Sequence, residues 1–484
     1  MLRAIVAFVL LVLLPAAAYA QTALTLEEAI NVAQEQSLEA DVASFAFTSS
    51  QWAYRATEAD FRPQLSLNGR APGLDRAIDE IQQDDGSLRY VPSSRTSSSM
   101  NLQVSQALPF SGGEVFLQSS LSRVDIFGDN RFNQWQSTPL ILGVSQPIFQ
   151  FNELKWERRA QPLRLQIAER TFNESMAEIA VSTTQAFFEV YMTQMEVDAA
   201  AFNVAINDTI YALSRGRYEV GIIAENDLLQ SELELINAQT ALSDTQLEYE
   251  RALDNLKLAL DLPENQEVEI IPPSSIFEMD IDPATAVQMA RNNRAAPIED
   301  NLTILEAEAD LAQARAENGF AANLTASYGL NQQSTLLGGA YSDPLNQQRA
   351  NITFEIPILQ GGAGRAERQS AEAALERTER EIQMERREFD QEVYYEVVGL
   401  EQSQRQVEIA ARADTIAARR FEVANDRYTI GRIDVTDLFD AQREKDQARS
   451  QYIQTLRDYW TSYYRVRQLT LHDFRTGEPL RVGQ

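Results

Sequence analysis

The sequence predicts a mainly α protein with a β component: tandem, duplicated long helical hairpins with short strands between them. Three observations predict it. Arg217-Tyr218-Glu219-Val220-Gly221, followed by Asp227-Leu228, returns 210 residues later as Arg427-Tyr428-Thr429-Ile430-Gly431, followed by Asp437-Leu438. Each copy lies between two long stretches of helical periodicity. Short segments elsewhere alternate apolar and polar residues, the period of a strand.

Taken in order, residues 1–20 read as a secretory signal, with Arg3 as the basic start, Ala4 to Leu14 as the apolar core and Ala18-Tyr19-Ala20 as the cleavage site. The first repeat is expected over 21–270. It opens with a polar helical pattern over 24–62, which Pro63 stops. Strands are expected at 64–70, 100–107, 115–121 and 140–146, with loops at 71–99 and 125–137. Residues 153–213 contain one Pro and no Gly, and Ala177, Ala180, Thr184, Phe187 and Tyr191 form a seam at spacings of three and four. At about 1.5 Å per residue such a helix is roughly 90 Å long. The first tip follows, where Gly221 supplies the left-handed turn that ends a helix. Asn226-Asp227 suits the positive end of the next helix, 225–262. Residues 263–280 form a linker.

The second repeat is expected over 271–472. Asp282-Pro283 starts a helix over 283–318, with Pro at home in the first turn. Strands follow within 323–358, around a loop at 331–349, and Gly361-Gly362-Ala363-Gly364 breaks the chain before a long helix over 367–424. The last helix runs over 435–471, and 473–484 is a C-terminal tail. Between 147 and 228 the copies align without a gap: Pro147, Glu157, Arg158, Leu165, Arg170, Glu178, Ala200 and Ala201 have identical counterparts 210 residues on.

Composition narrows the function. The net charge of −29 argues against nucleic acid, whose phosphates call for Lys and Arg. With no Cys there is no disulfide framework and no thiol nucleophile. The single His, His472, makes a His-based metal site or triad untenable, and no acid/base pair stands out among the surface carboxylates. No enzyme, cofactor or metal is expected. No later window holds 18 uninterrupted apolar residues, so an exported chain that enters a membrane must do so as strands. Helical periodicity by itself fits a bundle of solvated helices equally well. The strands decide: four to six cannot close a barrel, whose smallest side-chain-filled form takes about eight. Other subunits must complete it, and three chains giving four strands each supply about twelve. Phe149, Phe151 and Trp156 fit an interfacial aromatic belt or ordinary packing.

The strand ends Ser145-Gln146-Pro147-Ile148 and Glu355-Ile356-Pro357-Ile358, the run Gly361 to Gly364, and the two Arg-Tyr-x-x-Gly tips resemble those of the TolC-type outer-membrane efflux factors. The resemblance covers nearly all of 22–472. It implies a homotrimer with a transmembrane β-barrel in the outer membrane and a periplasmic α-helical barrel. It also implies docking to a periplasmic adaptor and an inner-membrane transporter, in efflux or type I secretion. The long β region at 68–139 departs from the family pattern, and the lack of Cys sets the chain apart from lipid-anchored members. The rival reading is a periplasmic coiled-coil scaffold or adaptor without a pore.

The resemblance carries a gate to Asp437 and Asp440, which lie three apart on one face of the last helix. The first copy has Asp227 but Gln230 at the corresponding place. Two carboxylates about 7 Å apart repel by roughly 0.6 kcal/mol in water, which a wet lumen or bound cations tolerate. The resemblance also implies that Arg427, Tyr428 and Arg432 lock the tips, although Arg427 equally suits a helix C-terminus. Arg217, Tyr218, Gly221, Arg427, Tyr428 and Gly431 are expected to meet an adaptor.

Overall fold

A computed structural model describes residues 22–83, 86–128, 131–273, 276–430, 432–433 and 435–480. The expected signal over 1–20 lies outside the described residues, as does Gly431. The elements are β1 (Thr22–Thr25), α1 (Leu26–Gln36), α2 (Leu38–Asp60), β2 (Gln64–Gln82), β3 (Leu88–Leu108), β4 (Gly113–Phe127) and β5 (Phe132–Ile148). They continue with α3 (Glu153–Glu219), α4 (Glu225–Ala259), β6 (Val268–Ile271), α5 (Pro283–Asn293), α6 (Ala296–Glu317) and β7 (Ala321–Ser334). β8 (Leu345–Glu355), α7 (Ala363–Thr429), α8 (Val435–Thr470) and two short strands complete the chain.

Two expected helices are each broken in two. In the first, Ser37 ends α1 by donating its N–H to Ala33 O (3.1 Å) and starts α2 by accepting from the Ala40 N–H on Oγ (3.1 Å). The stretch before α1 is a strand, β1, paired in parallel with β6. In the second, the chain turns at Arg294, and Pro297, unable to donate an N–H, opens α6. Asp282 caps α5 as its sequence suggests, accepting from the N–H groups of Ala284 and Thr285 at 3.4 and 3.0 Å. The Thr285 hydroxyl, which donates to the same carboxylate at 2.7 Å, and then these backbone bonds hold the Asp282 carboxyl below its usual range.

The chain forms two compact units. One comprises Ala46–Arg170 and Ala295–Phe389, the other Met1–Phe45, Thr171–Arg294 and Asp390–Gln484. They do not follow the halves of the duplication; each draws on both.

The first unit holds an antiparallel sheet of six strands in the order β2-β3-β4-β5-β7-β8. The expected loops at 71–99 and 125–137, and part of that at 331–349, are therefore strand. The polar composition of these segments concealed them. Ser97, Ser98 and Ser99 lie in β3 opposite Gly73, Arg70 and the irregular step between them. β3 and β4 form an additional hairpin inside the sheet. Its turn is fastened by Asn152, which donates to Pro109 O at 2.9 Å, and by Gln146, which donates to Ser111 O at 2.8 Å.

The sheet has two chemically distinct faces. Leu65, Val104, Leu117, Leu142 and Tyr328 lie side by side across five strands. The adjacent row on the other face is Gln64, Ser105, Phe116, Gly143, Ser327 and Arg349. Gly143 is required there: a Cβ would drive into the Phe116 ring opposite. The apolar face is exposed in the single chain from Leu65 on β2 to Ile352 and Phe354 on β8. At the end of the sheet where the helices join, Phe149, Phe320 and Phe354 form a row with ring centroids 5.8 and 6.5 Å apart. Exposed Phe127, Phe132 and Tyr341 mark the opposite end. Among the described residues no helix is long and apolar enough to cross a membrane.

In the second unit α8 lies between α3 and α7. Asn203 on α3 donates to Asp446 on α8 at 3.0 Å, and Arg449 on α8 pairs with Asp414 on α7 at 3.0 Å. At its other end α8 buries Tyr459, Trp460, Tyr463 and Tyr464. The linker crosses them: Tyr459 donates its hydroxyl to Phe277 O at 2.7 Å, and Phe277 packs edge-on to Trp460 at 5.4 Å.

Candidate functional site at the hairpin tips

The two tips share a closing backbone bond. At the first, Gly221 has φ +76°, its N–H donates to Tyr218 O at 2.9 Å, and Ile222 N–H donates to Arg217 O at 2.8 Å. This paired arrangement satisfies carbonyls that a helix end leaves unpartnered. At the second, Arg432 N–H donates to Arg427 O at 2.9 Å, the corresponding bond. The acidic start of the first return helix also works as the sequence suggests: Asp227 reaches back to accept from the Ala224 N–H at 3.4 Å.

The side chains diverge. Tyr428 is 5% exposed and sits in an apolar cluster with Ile210, Phe421, Leu438 and Phe439. Its counterpart Tyr218 is 40% exposed. Arg217 lies over the Tyr428 ring, 5.5 Å from its centre, so the first tip contributes a cation to the second tip's aromatic ring. Two residues expected to act at separate tips are thereby brought together. The sequence did not indicate that contact, because it depends on how α3 packs against α7. The apolar members of the cluster were legible only as helical-period positions.

Arg427 and Arg432 are exposed, and neither forms an ion pair among the described residues. Asp437 is exposed in the first turn of α8. Asp440 is ion-paired with Arg443 one turn on, a partner that sequence reasoning missed although its spacing of three was readable. The Tyr428 ring is placed for packing, whereas Tyr218, Arg427 and Arg432 are exposed.

A family model described as "Outer membrane efflux protein" matches residues 29–261 and 287–470. The chain belongs to this outer membrane efflux protein family. It is an outer-membrane efflux component of the TolC type, as the tip and strand-end motifs suggested. Solved structures share its fold. The Campylobacter jejuni CmeC outer membrane channel is 15% identical, with 95% of this chain and 87% of that chain covered at a TM-score of 0.67. The outer membrane protein VceC from Vibrio cholerae is 14% identical over 92% and 95%, TM-score 0.63. The open state of the Neisseria gonorrhoeae MtrE outer membrane channel is 14% identical over 92% and 88%, TM-score 0.61. No curated protein matches the chain.

Family membership gives the two-faced sheet its meaning. An outer-membrane strand alternates lipid-facing and lumen-facing residues between aromatic girdles, and that is the pattern of β2 to β8. The long β region that set the sequence apart holds the β3–β4 hairpin, and with it the sheet has six strands.

Proposed function

We propose that three copies of this chain close into a passive conduit across the outer membrane, continued into the periplasm by the helical hairpins and energised by partner proteins. The observation that carries this reading is the six-stranded sheet with one apolar and one polar face and two unpaired edges, β2 and β8. An open edge has no place in a bilayer, where every backbone group needs a partner. Joining β2 of one copy to β8 of the next removes both edges. Three copies then give eighteen strands, in the range whose barrels enclose water. A periplasmic scaffold without a pore would have no use for a sheet of this kind.

The helices support the same closure. α7 exposes Ile409, Ile416 and Val423, and Ile430 just past its end continues this run of apolar residues seven apart. α4 exposes Leu229, Leu233, Ile236 and Leu247. A seven-residue repeat is a seam for a second helix. These two stripes differ, so they make a head-to-tail contact, which closes into a ring when the rotation allows.

The tips serve as the gate and docking end. Arg427 and Arg432 then find carboxylates on neighbouring copies, Asp437 and Asp440 ring the entrance, and Arg217, Tyr218, Gly221, Arg427, Tyr428 and Gly431 form the surfaces offered to a periplasmic adaptor and, through it, an inner-membrane pump for efflux or type I secretion. In that role Tyr428 acts from within, by holding the tip's shape. The test is to measure conductance of the purified chain in planar bilayers together with the mass of its detergent complex. Discrete water-filled conductances from a three-chain particle are expected. A soluble monomer that leaves bilayers tight would overturn the proposal.

A further inference from the structure

The connection between β7 and β8 folds back onto the sheet, and it does so on the apolar face. Ser137 on β5 lies between Leu121 on β4 and Gln332 on β7. Alternation from Leu117 to Leu121, and from Tyr328 to Gln332, puts all three on the face of Leu117, Leu142 and Tyr328. From that face Ser137 and Gln332 reach loop carbonyls. Ser137 donates its hydroxyl to Ala340 O, and Gln332 donates its amide to Ser342 O at 2.8 Å and to Asp343 O at 2.9 Å. The short turn Gly338–Tyr341 is thereby laid over β5 and β7, and Ser137 and Ala340 are fully buried in the contact.

The outer side of this loop is not made for water. No residue from Asn331 to Ser342 is charged. Leu336 is 72% exposed, and Leu337 and Tyr341 are half-exposed. The backbone finds partners within the loop: Ala340 N–H donates to Leu336 O at 3.2 Å, and Ser342 N–H to Gly339 O at 3.3 Å. Leu336 N–H donates to Ser334 Oγ at 3.2 Å, and the Ser342 hydroxyl to Gly338 O at 3.1 Å. Beside lipid, backbone groups need such internal partners. Arg123 and Asp125, which share this face, are paired with each other at 2.7 Å. Phe132 stands five residues beyond Ser137 on β5, about 17 Å farther along the strand. The loop therefore lies on the apolar face, short of that aromatic end.

We propose that the β7–β8 loop is a lipid-docking surface, with Leu336, Leu337 and Tyr341 seated where the acyl chains of the outer leaflet meet their headgroups. The inference rests on the outer-membrane reading of the sheet and adds to it a contact that no strand side chain makes. Lipid is the occupant because the loop extends the apolar face outward and carries no charge. A second copy joins at the free edges β2 and β8, whereas the loop covers β5 and β7.

The experiment uses single cysteines in a chain that has none of its own. Leu336→Cys reports the loop, Leu142→Cys the apolar face of the sheet, and Asn351→Cys the polar face. Each full chain is labelled with bimane and reconstituted in phosphatidylcholine vesicles, with or without a nitroxide on the upper part of the acyl chain. The labels at Leu336 and Leu142 should lose about half of their emission or more to the nitroxide, and that at Asn351 should be unchanged, because only lipid-facing positions meet it. Leu337→Cys replaces Leu336→Cys if the latter chain does not reach the particle mass of the unsubstituted protein. Quenching at Leu142 without quenching in the loop would overturn the docking surface and leave the outer-membrane reading standing. Quenching at neither would overturn both, and equal quenching at Asn351 would overturn the assignment of faces on which the site depends.

Discussion

The two hairpin tips carry nearly the same sequence and meet different fates. The second hides Tyr428, Leu438 and Phe439 against α3, whereas the first leaves Tyr218 and Leu229 in the open; Phe439 is 8% exposed and its counterpart Leu229 is 55% exposed. Duplication therefore produced two hairpins with one backbone plan and unequal surfaces. α8 is covered within its own chain, by α3 and α7. α4, its counterpart, keeps an apolar stripe uncovered, and α7 keeps another. The difference teaches that the packed repeat builds the tip, and the unpacked surfaces are left for a neighbouring copy.

Breaking the uncovered side should have the largest effect. Val423→Asp puts a charge into the seven-residue stripe of α7, and Leu233→Asp does the same on α4. Burying an unpaired carboxylate in an interface costs several kcal/mol. Each is expected to abolish the three-chain particle in light scattering while circular dichroism stays helical. A particle of unchanged mass in both would remove the stripes from the interface.

The tip cores separate next. Tyr428→Ala empties a buried aromatic position and should cost about 3 kcal/mol, whereas Tyr218→Ala should change stability by no more than about 0.5 kcal/mol. Denaturant melts give both values, and equal losses would mean the tips pack alike. Arg217→Ala sharpens the point. It should cost about 0.5–1 kcal/mol through the ring of Tyr428, and almost nothing in a Tyr428→Leu background.

A third pair of counterparts, Tyr249 and Tyr459, extends the comparison to alkaline pH. Burial pushes both phenols up, Tyr459 to about 12, with Asp198 and Glu269 adding to the effect at Tyr249. A phenol that keeps its proton longer when folded stabilises the fold fully below its ordinary value of 10.0. That contribution is lost as pH rises from there through the folded value. Stability should therefore fall between about pH 10 and 12, and Tyr459→Phe should flatten the decline more than Tyr249→Phe. Thermal melts across that range check the order.

The smallest effect concerns the entrance. Asp437→Ala with Asp440→Ala should reduce cation selectivity of the conductance, and Arg443→Ala, which frees Asp440 from its ion pair, should increase it. Unchanged selectivity in both would remove these carboxylates from the gate.

Much of this architecture was legible from residue patterns. The long helices announced themselves because α3 and α7 run for 67 residues each with few breakers. The tips were legible because the Arg-Tyr-x-x-Gly pattern repeats, and Gly221 takes the left-handed conformation that ends a helix. The outer parts of the sheet were not. In β3, Ser94, Thr96 and Ser98 stand on the face that Met100, Leu102 and Val104 make apolar further on, so the alternation fades there, and Pro92 reads as a breaker. Pro92 is nonetheless tolerated in β3, opposite Ile78, because β4 pairs only from Ser94 onward and leaves that side free. At the candidate site the sequence supplied which residues to watch, but not that Arg217 would cover Tyr428 or that Asp440 would already hold an arginine. The first depends on which helix faces lie against each other and has no period to read; the second has a readable spacing of three, but which rotamer wins does not follow from it.

The central claim is that unlike edges of identical chains join in a closed ring. A chain without native Cys allows a direct measurement: place Leu233→Cys on α4 and Val423→Cys on α7, each about two turns from its tip, and oxidise the purified protein. The account predicts covalent species that stop at three chains, with dimers alone when the two single-cysteine chains are mixed. A product that remains a single chain, or a ladder that continues without end, would contradict it.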